Sequence, residues 1–250
     1  MTSAEGDRPA VSLGALSTAD VPDDAVLLVP LGSTEQHGPH LPLDTDTRIA
    51  VAVARAVASD PAPPLRRGQV LVAPAISVGS SGEHRGFAGT LSIGAEATEA
   101  VVRELVRSAT APGGGPFQAV LLLNGHGGNA PATVNAVRTL SAEGRRVAVW
   151  APHFDHGDAH AGFTETSLAL HLFAHLVRLD RAQVGDTRPL ADLLGRLRSE
   201  GVRAVSPNGV LGDPTLANAP EGKALFARLV LSAHGALSDL LHGPQHPAER

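Results

Sequence analysis

Four short apolar runs alternate along the chain with longer segments of helical periodicity. The runs cover residues 25–31, 69–74, 119–124 and 146–150, and each is nearly all apolar instead of alternating between apolar and polar positions. Uniformly apolar strands are typical of a sheet that helices cover on both faces. The pattern therefore predicts an α/β fold with an internal, mostly parallel sheet.

Apolar residues three or four positions apart predict the helices that connect these strands. The periodic sets are Ile49 with Val53 and Val57, Val101 with Leu105, Val134 with Val137, and Leu168 with Leu172 and Leu176. Two further helices are predicted over residues 190–199 and 221–241, on either side of a turn-rich stretch. We predict one domain over residues 1–250, with residues 1–20 loosely ordered.

Composition narrows the function classes. The chain is 43% hydrophobic and 18% charged, with a net charge of −5 and no basic stripe, so we expect no nucleic-acid partner. Its unbroken apolar runs are far shorter than the ~20 residues of a spanning helix, and its first residues do not resemble a secretory signal. We therefore expect a cytoplasmic protein without a membrane partner. The chain has no cysteine, so any metal ligand must be oxygen or nitrogen.

Acidic residues and histidines follow each of the four predicted strands. Parallel connections place the carboxyl ends of all strands at one edge of the sheet, where ligands bind in open α/β folds. We therefore predict that these side chains converge on a metal site. The residues, in the order of the strands they follow, are Glu35, His37 and Asp46; Glu83 and His84; His126; and His153, His156, His160 and Glu165.

The spacing of these residues suits metal binding. Glu35 and His37 are two positions apart, which points both side chains to one side of an extended loop. Asp46 lies at the predicted start of a helix, where the helix dipole favours a carboxylate. His126 stands between glycines, which lets an ion approach the backbone. Carboxylate and imidazole ligands without thiolate suit Zn²⁺, Mn²⁺ or Fe²⁺.

Two other site types are less consistent with the sequence. Gly125, Gly127 and Ala130 match a relaxed dinucleotide-binding fingerprint, but they follow the third strand and no acidic residue ends the next strand. Residues 79–83 have glutamate where a serine-hydrolase nucleophile elbow requires glycine. Both a nucleotide site and a serine hydrolase are therefore disfavoured.

Three separated motifs resemble the creatininase (creatinine amidohydrolase) family. They are EQHGPH at residues 35–40 with Asp46, NGHGGN at residues 124–129, and HAGFTETS at residues 160–167. Two supporting segments, residues 83–90 and 209–214, extend the resemblance over roughly residues 27–221. Residues 32–48 and 157–162 look most like the branch associated with mycofactocin biosynthesis, whose members are peptidases acting on a ribosomally made precursor.

The resemblance implies a three-layer αβα sandwich, a homo-oligomer and two divalent metal ions per subunit, with Zn²⁺ or Fe²⁺ favoured over Mn²⁺. It also implies roles for individual residues. Asp46 would bridge the ions, His160 would carry a proton to the leaving amine, and Glu83 and His84 would orient the substrate from the rim. The implied metal ligands are Glu35, His37, Asp46, His126 and Glu165.

Three differences from creatinine-cleaving members favour a peptide substrate. Those members have glutamate at the position of Gly128, an acidic residue at Ala159 and tryptophan at His156, so we expect a roomier mouth here. Arg85 is expected to bind the terminal carboxylate of the peptide, and Arg48 is the second candidate. The leading hypothesis is removal of the C-terminal dipeptide from the modified precursor. The alternatives are a hydrolase of a cyclic or formylated small-molecule amide, and a non-catalytic metal- or nucleotide-binding protein.

Overall fold

A parallel sheet lies at the centre of the structure, a computed structural model that describes residues 12–62, 65–111, 115–154 and 157–243. Its strand order is β2-β1-β3-β4. Each described strand falls inside a predicted run, and β2 is shorter than predicted. The strands are β1 (Val26–Leu31), β2 (Val70–Val72), β3 (Ala119–Asn124) and β4 (Val147–Trp150).

Helices cover both faces of this sheet. The helices are α1 (Thr45–Ser59), α2 (Gly94–Ala109), α3 (Ala130–Ala142), α4 (Phe163–Leu172), α5 (Leu190–Glu200), α6 (Val202–Val205) and α7 (Ala219–His242). Helices α1, α4 and α7 share one buried apolar cluster with the strands, and α2 and α3 share the other. This arrangement confirms the predicted αβα fold class.

Successive residues of β1 explain its uniformly apolar sequence. Leu28 packs in the cluster of α1, α4 and α7, whereas Leu27 and Val29 pack in the cluster of α2 and α3. Because neighbouring side chains of a strand point to opposite faces, both sets must be apolar when both faces are covered.

Some predicted helix faces are wrong by one position. Val101 and Val134 are 42% and 56% exposed, and the buried face of α2 carries Val102 and Val106 instead. In α3 the buried residues include alanine and threonine, which give a weak apolar signal. Leu176 lies beyond α4, in a short turn after the helix ends at Leu172. Helix α6 was not predicted.

Helix α7 is long and apolar enough, by length and composition alone, to cross a membrane. Its stripe of Leu225, Leu229, Ala233 and Leu237 is buried in the apolar cluster that also contains residues of α1 and α4. In this structure the stripe closes one side of the core.

Part of the predicted loosely ordered segment 1–20 lies within the described residues. Leu13–Ala15 and Thr18–Asp20 form short 3₁₀ turns, and Leu13 and Leu16 pack against the cluster of α2 and α3. Residues 1–11 lie outside the described part of the chain.

Candidate metal centre

The five expected metal ligands meet at the carboxyl edge of the sheet. Glu35 and His37 come from the loop after β1, Asp46 from the first turn of α1, His126 from the exit of β3, and Glu165 from α4. Asp46 Oδ1 lies 3.0 Å from His37 Nε2, and Asp46 Oδ2 lies 3.3 Å from His126 Nδ1. Glu35 Oε2 is 3.2 Å from His126 Nε2, and Glu165 Oε2 is 4.0 Å from His37 Nε2.

These side chains form two overlapping groups that could each hold a metal ion. One group is Glu35, Asp46 and His126, and the other is His37, Asp46 and Glu165; within each, the ligand atoms lie within 4.8 Å of one another. Asp46 belongs to both groups and turns a different oxygen toward each histidine. The geometry therefore accommodates two ions with Asp46 between them.

The surroundings of the Glu35 carboxylate suit a bound cation. Its side chain is fully buried, and neither carboxylate oxygen accepts a hydrogen bond from the described residues. The Nε2 atoms of His84 and His126 each lie 3.2 Å from one of these oxygens without the geometry of a hydrogen bond, so the buried carboxylate is poorly satisfied, and native structures supply such a group with a partner. A divalent ion bound by carboxylate and imidazole ligands would supply that partner.

Local contacts aim the ligands at this centre. Nδ1 of His37 lies 3.1 Å from the carbonyl oxygen of Glu35, and a hydrogen bond there leaves Nε2 to face the centre. Ser33 Oγ donates to Asp46 Oδ2 over 2.7 Å. A Cβ at Gly125 would lie 2.6 Å from the carbonyl oxygen of Asp46, so only glycine allows β3 to end this close to α1.

His37 and His126 favour the protonated, charged form when no metal is bound. Burial is the largest single influence on His37 and opposes its charged form, but the charge and hydrogen bond of Asp46, together with the charges of Glu165 and Glu35, outweigh it and raise the pKa of His37 to about 10. Burial also opposes charge on Glu35, yet His126 lowers the pKa of Glu35 to about 2. The same contacts raise the pKa of His126. Metal binding must therefore displace protons from these histidines.

Glu165 is held beside the centre by an unusual backbone turn. Its Oε2 accepts a hydrogen bond from Ala161 N over 2.6 Å, and Ala161 has a φ of 52°, in the left-handed region. Non-glycine residues rarely adopt that region, and such strain is concentrated at functional sites. Burial, with the nearby charge of Asp46, raises the pKa of Glu165 to about 7.

Two more histidines lie close to the carboxylate of Glu35. His84 Nε2 lies 3.2 Å from Glu35 Oε1, and His160 Nδ1 lies 3.9 Å from it. Both histidines are buried, and their ring centroids are 4.6 Å apart. The rim position expected for His84 is therefore wrong, because the short turn Gly82–His84 carries its ring into the centre.

Comparison with known proteins identifies the family to which the chain belongs. The family model described as creatinine amidohydrolase (creatininase) matches residues 14–236. The chain belongs to the creatininase family. A protein of Mycobacterium ulcerans named mycofactocin precursor peptide peptidase is 50% identical, covering 93% of this chain and 92% of its own. One of the same name from Mycolicibacterium smegmatis is 52% identical, covering 82% and 81%. A structure of manganese creatininase is similar with a TM-score of 0.73 at 26% identity, covering 92% and 98%.

Gly128 does not open the creatininase-like site as expected. A Cβ at this position would collide with Glu83 Oε1, His126 Nε2 and the carbonyl oxygen of Ser80. Glu83 is half-buried, and its Oε1 lies 3.4 Å from His126 Nε2. The space left by the absent side chain is therefore filled by the Glu83 carboxylate, and the expected roomier mouth at this position is wrong.

The two candidate carboxylate-binding arginines differ in their surroundings. Arg48 is paired with Asp44 over 2.7 Å and lies over the ring of Phe173. Arg85 is exposed, and within the described part of the chain no acidic group pairs with it. Ala159 is also exposed, whereas His156 lies outside the described residues.

Sequence reasoning missed three polar residues that support the centre. Ser33 holds Asp46, and His40 Nε2 lies 2.8 Å from Thr166 Oγ1, which connects the ligand loop to α4 beside Glu165. The third is Gln36, whose amide touches two histidines. Gln36 and His40 fall inside the EQHGPH motif, so their place between ligands was the available signal.

Proposed function

We propose that the chain is a metal-dependent peptidase that hydrolyses a C–N bond in the mycofactocin precursor and removes the C-terminal dipeptide of its modified form. The observation that carries the hydrolytic part is the pair of ligand groups sharing Asp46. The substrate part is supported by relatives of that name, half identical over most of both chains.

The five ligands would hold two divalent ions. Glu35, Asp46 and His126 would bind one ion, and His37, Asp46 and Glu165 the other. When bound, the ions supply an activated water and polarise the scissile carbonyl. Zn²⁺ and Fe²⁺ are our first candidates and Mn²⁺ also suits the ligands. The similar manganese creatininase supports a divalent ion of this class.

His160 is proposed to move the proton that hydrolysis requires. Its Nδ1 faces Glu35, and the residue lies outside the two groups that share Asp46. A histidine so placed can accept a proton from the attacking water and give it to the leaving amine. Glu83 and His84 are proposed to orient the substrate, since Glu83 lies beside His126 and His84 lies beside Glu35.

Arg85 is the stronger candidate for binding the terminal carboxylate of the peptide. It follows His84 directly, it is exposed, and its charge has no acidic partner among the described residues. Arg48 is already paired with Asp44. We also propose a cytoplasmic homo-oligomer without nucleic-acid or membrane partners, on the basis of composition and family resemblance; light scattering of the purified protein tests the assembly.

Mass spectrometry of the precursor tests the function. Metal-loaded protein, Asp46→Asn and the surface control Asp44→Asn are incubated separately with the modified precursor peptide. We expect the wild type and Asp44→Asn to release the C-terminal dipeptide, and Asp46→Asn to leave the peptide intact. A parallel assay contains creatinine and a formylated amide. Efficient hydrolysis of either small molecule with an uncut peptide would replace the peptidase proposal with the small-amide alternative.

A further inference from the structure

The side-chain amide of Gln36 has a fixed orientation. Gly38 N–H donates to its Oε1 over 2.9 Å, and its Nε2 donates to the carbonyl oxygen of Gly209 over 3.1 Å. A backbone N–H can only donate and a carbonyl can only accept, so the amide cannot be reversed. Gln36 therefore presents N–H groups to the interior of the centre.

This amide determines which nitrogen of His84 carries the proton. Gln36 Nε2 lies 2.8 Å from His84 Nδ1. Because the amide nitrogen is a donor, Nδ1 must accept and carries no proton. The proton of His84 is then on Nε2, which lies 3.2 Å from Glu35 Oε1. His84 thus turns a donor toward the centre.

The backbone of the same residue fixes His160 in the same tautomer but turns the other end of its ring toward the centre. The carbonyl oxygen of Gln36 lies 2.9 Å from His160 Nε2, so Nε2 carries a proton and donates it. The 3.1 Å approach between Nε2 of Gln36 and Nε2 of His160 is then a contact between two donors, not a hydrogen bond. His160 Nδ1 is left facing the centre, 3.9 Å from Glu35 Oε1, with a lone pair that can accept a proton.

We propose that Gln36 is a positioning residue that fixes the Nε2–H tautomer in both His84 and His160 while turning opposite ends of the two rings, a donor of His84 and an acceptor of His160, toward the centre. The catalytic consequence rests on the proposed hydrolytic function. During hydrolysis His84 would donate its Nε2–H to the oxygen on which charge develops. His160 Nδ1 would take a proton from water as oxygen bonds to the carbonyl carbon, and would return it to nitrogen as the C–N bond breaks.

Nitrogen NMR of the metal-free protein tests the tautomers directly. Long-range ¹H–¹⁵N spectra are compared for the wild type, Gln36→Glu and the exposed control Gln183→Glu, with signals assigned through His84→Gln and His160→Gln. Glutamate at position 36 keeps an acceptor for Gly38 N–H but has no N–H for His84. We expect an Nε2–H tautomer of His84 in the wild type and in Gln183→Glu, and a protonated Nδ1 in Gln36→Glu.

Kinetics on the holoenzyme give the second readout. We expect Gln36→Glu to lower kcat by about 10²-fold or more while KM for the peptide stays within about threefold. Gln36→Met removes the amide without adding charge, and it should change kcat and KM to a similar degree. A wild-type Nδ1–H tautomer of His84, or Gln36 variants that match Gln183→Glu, would overturn the inference. If the tautomers are as stated but the wild type cuts no peptide, only the proposed function fails.

Discussion

Replacing Asp46 by asparagine should destabilise the metal-free protein in a pH-dependent way. Asp46 is buried, and its oxygens lie 3.0 Å from His37 Nε2 and 3.3 Å from His126 Nδ1. Burial alone would keep His37 neutral, and Asp46 is the largest influence that instead raises its pKa to about 10. Asparagine keeps the shape of the side chain but removes this charge.

The size of the effect follows from the pKa of His37. Each tenfold change in proton affinity is worth about 1.4 kcal/mol, and the pKa rises from an ordinary 6.5 to about 10. A group with a raised folded pKa stabilises fully below its unfolded pKa, and the stabilisation disappears as pH rises through the folded value. Asp46→Asn should therefore lower the free energy of unfolding by up to about 4 kcal/mol at pH 7 and by about 1 kcal/mol at pH 9.5.

Urea unfolding of chelator-treated protein at both pH values measures this difference. Asp44→Asn is the matched control, because Asp44 is nearby in sequence and its pair with Arg48 is solvent-exposed. Exposed pairs of this kind contribute about 0.5 kcal/mol or less. The reasoning is refuted if the two variants lose equal stability at pH 7, or if the deficit of Asp46→Asn is the same at pH 9.5.

Other changes test the proton carrier, the packing at the β3 exit and the metal ligands separately. His160→Ala should keep its metal, measured by elemental analysis, but lose about 10²–10⁴-fold in kcat, so a wild-type rate would contradict its role. Gly128→Ala should weaken Zn²⁺ binding roughly tenfold or more, because its methyl group meets Glu83 and His126; Gly127→Ala, with open space around it, is the control. Calorimetry in two buffers should show proton release on Zn²⁺ binding and tighter binding as pH rises from about 6 to 8, since the pKa of His37 and His126 is raised. Binding without proton release would argue against these histidines as ligands.

The strands were predictable from sequence because burial on both faces leaves an unambiguous pattern. All six residues of β1 and of β3 are buried. The helix faces were less predictable, since Val101 and Val102 both continue an apolar series along α2 and only packing decides between them. In α3, Ala136 and Leu140 pack against the sheet, and a periodic series that contains alanine gives a weak apolar signal in the sequence.

The meeting of the candidate ligands at one edge was predictable for a related reason. Parallel strands bring their carboxyl ends to one edge, so residues that follow different strands can be expected to meet. What the sequence could not show is how side chains share the space there. Glu83 and Gly128 belong to different strand exits, and only the folded structure shows that the carboxylate fills the place beside the glycine. The orientation of the Gln36 amide likewise depends on contacts with Gly38 and Gly209 that exist only in the folded structure.

The strand order also has a kinetic consequence. β1 pairs with β3 through partners such as Val26 and Ala119, although α1, β2 and α2 lie between them in the chain. Pairing across so many residues is slow, because a long loop must close before the contact is gained. His126 meets Asp46 only after this closure, so the ligand atoms of Glu35, Asp46 and His126 come together late in folding. An ion bound to them stabilises the native state alone, and unfolding that separates β1 from β3 must first release it. Bound metal should therefore lengthen the lifetime of the folded chain.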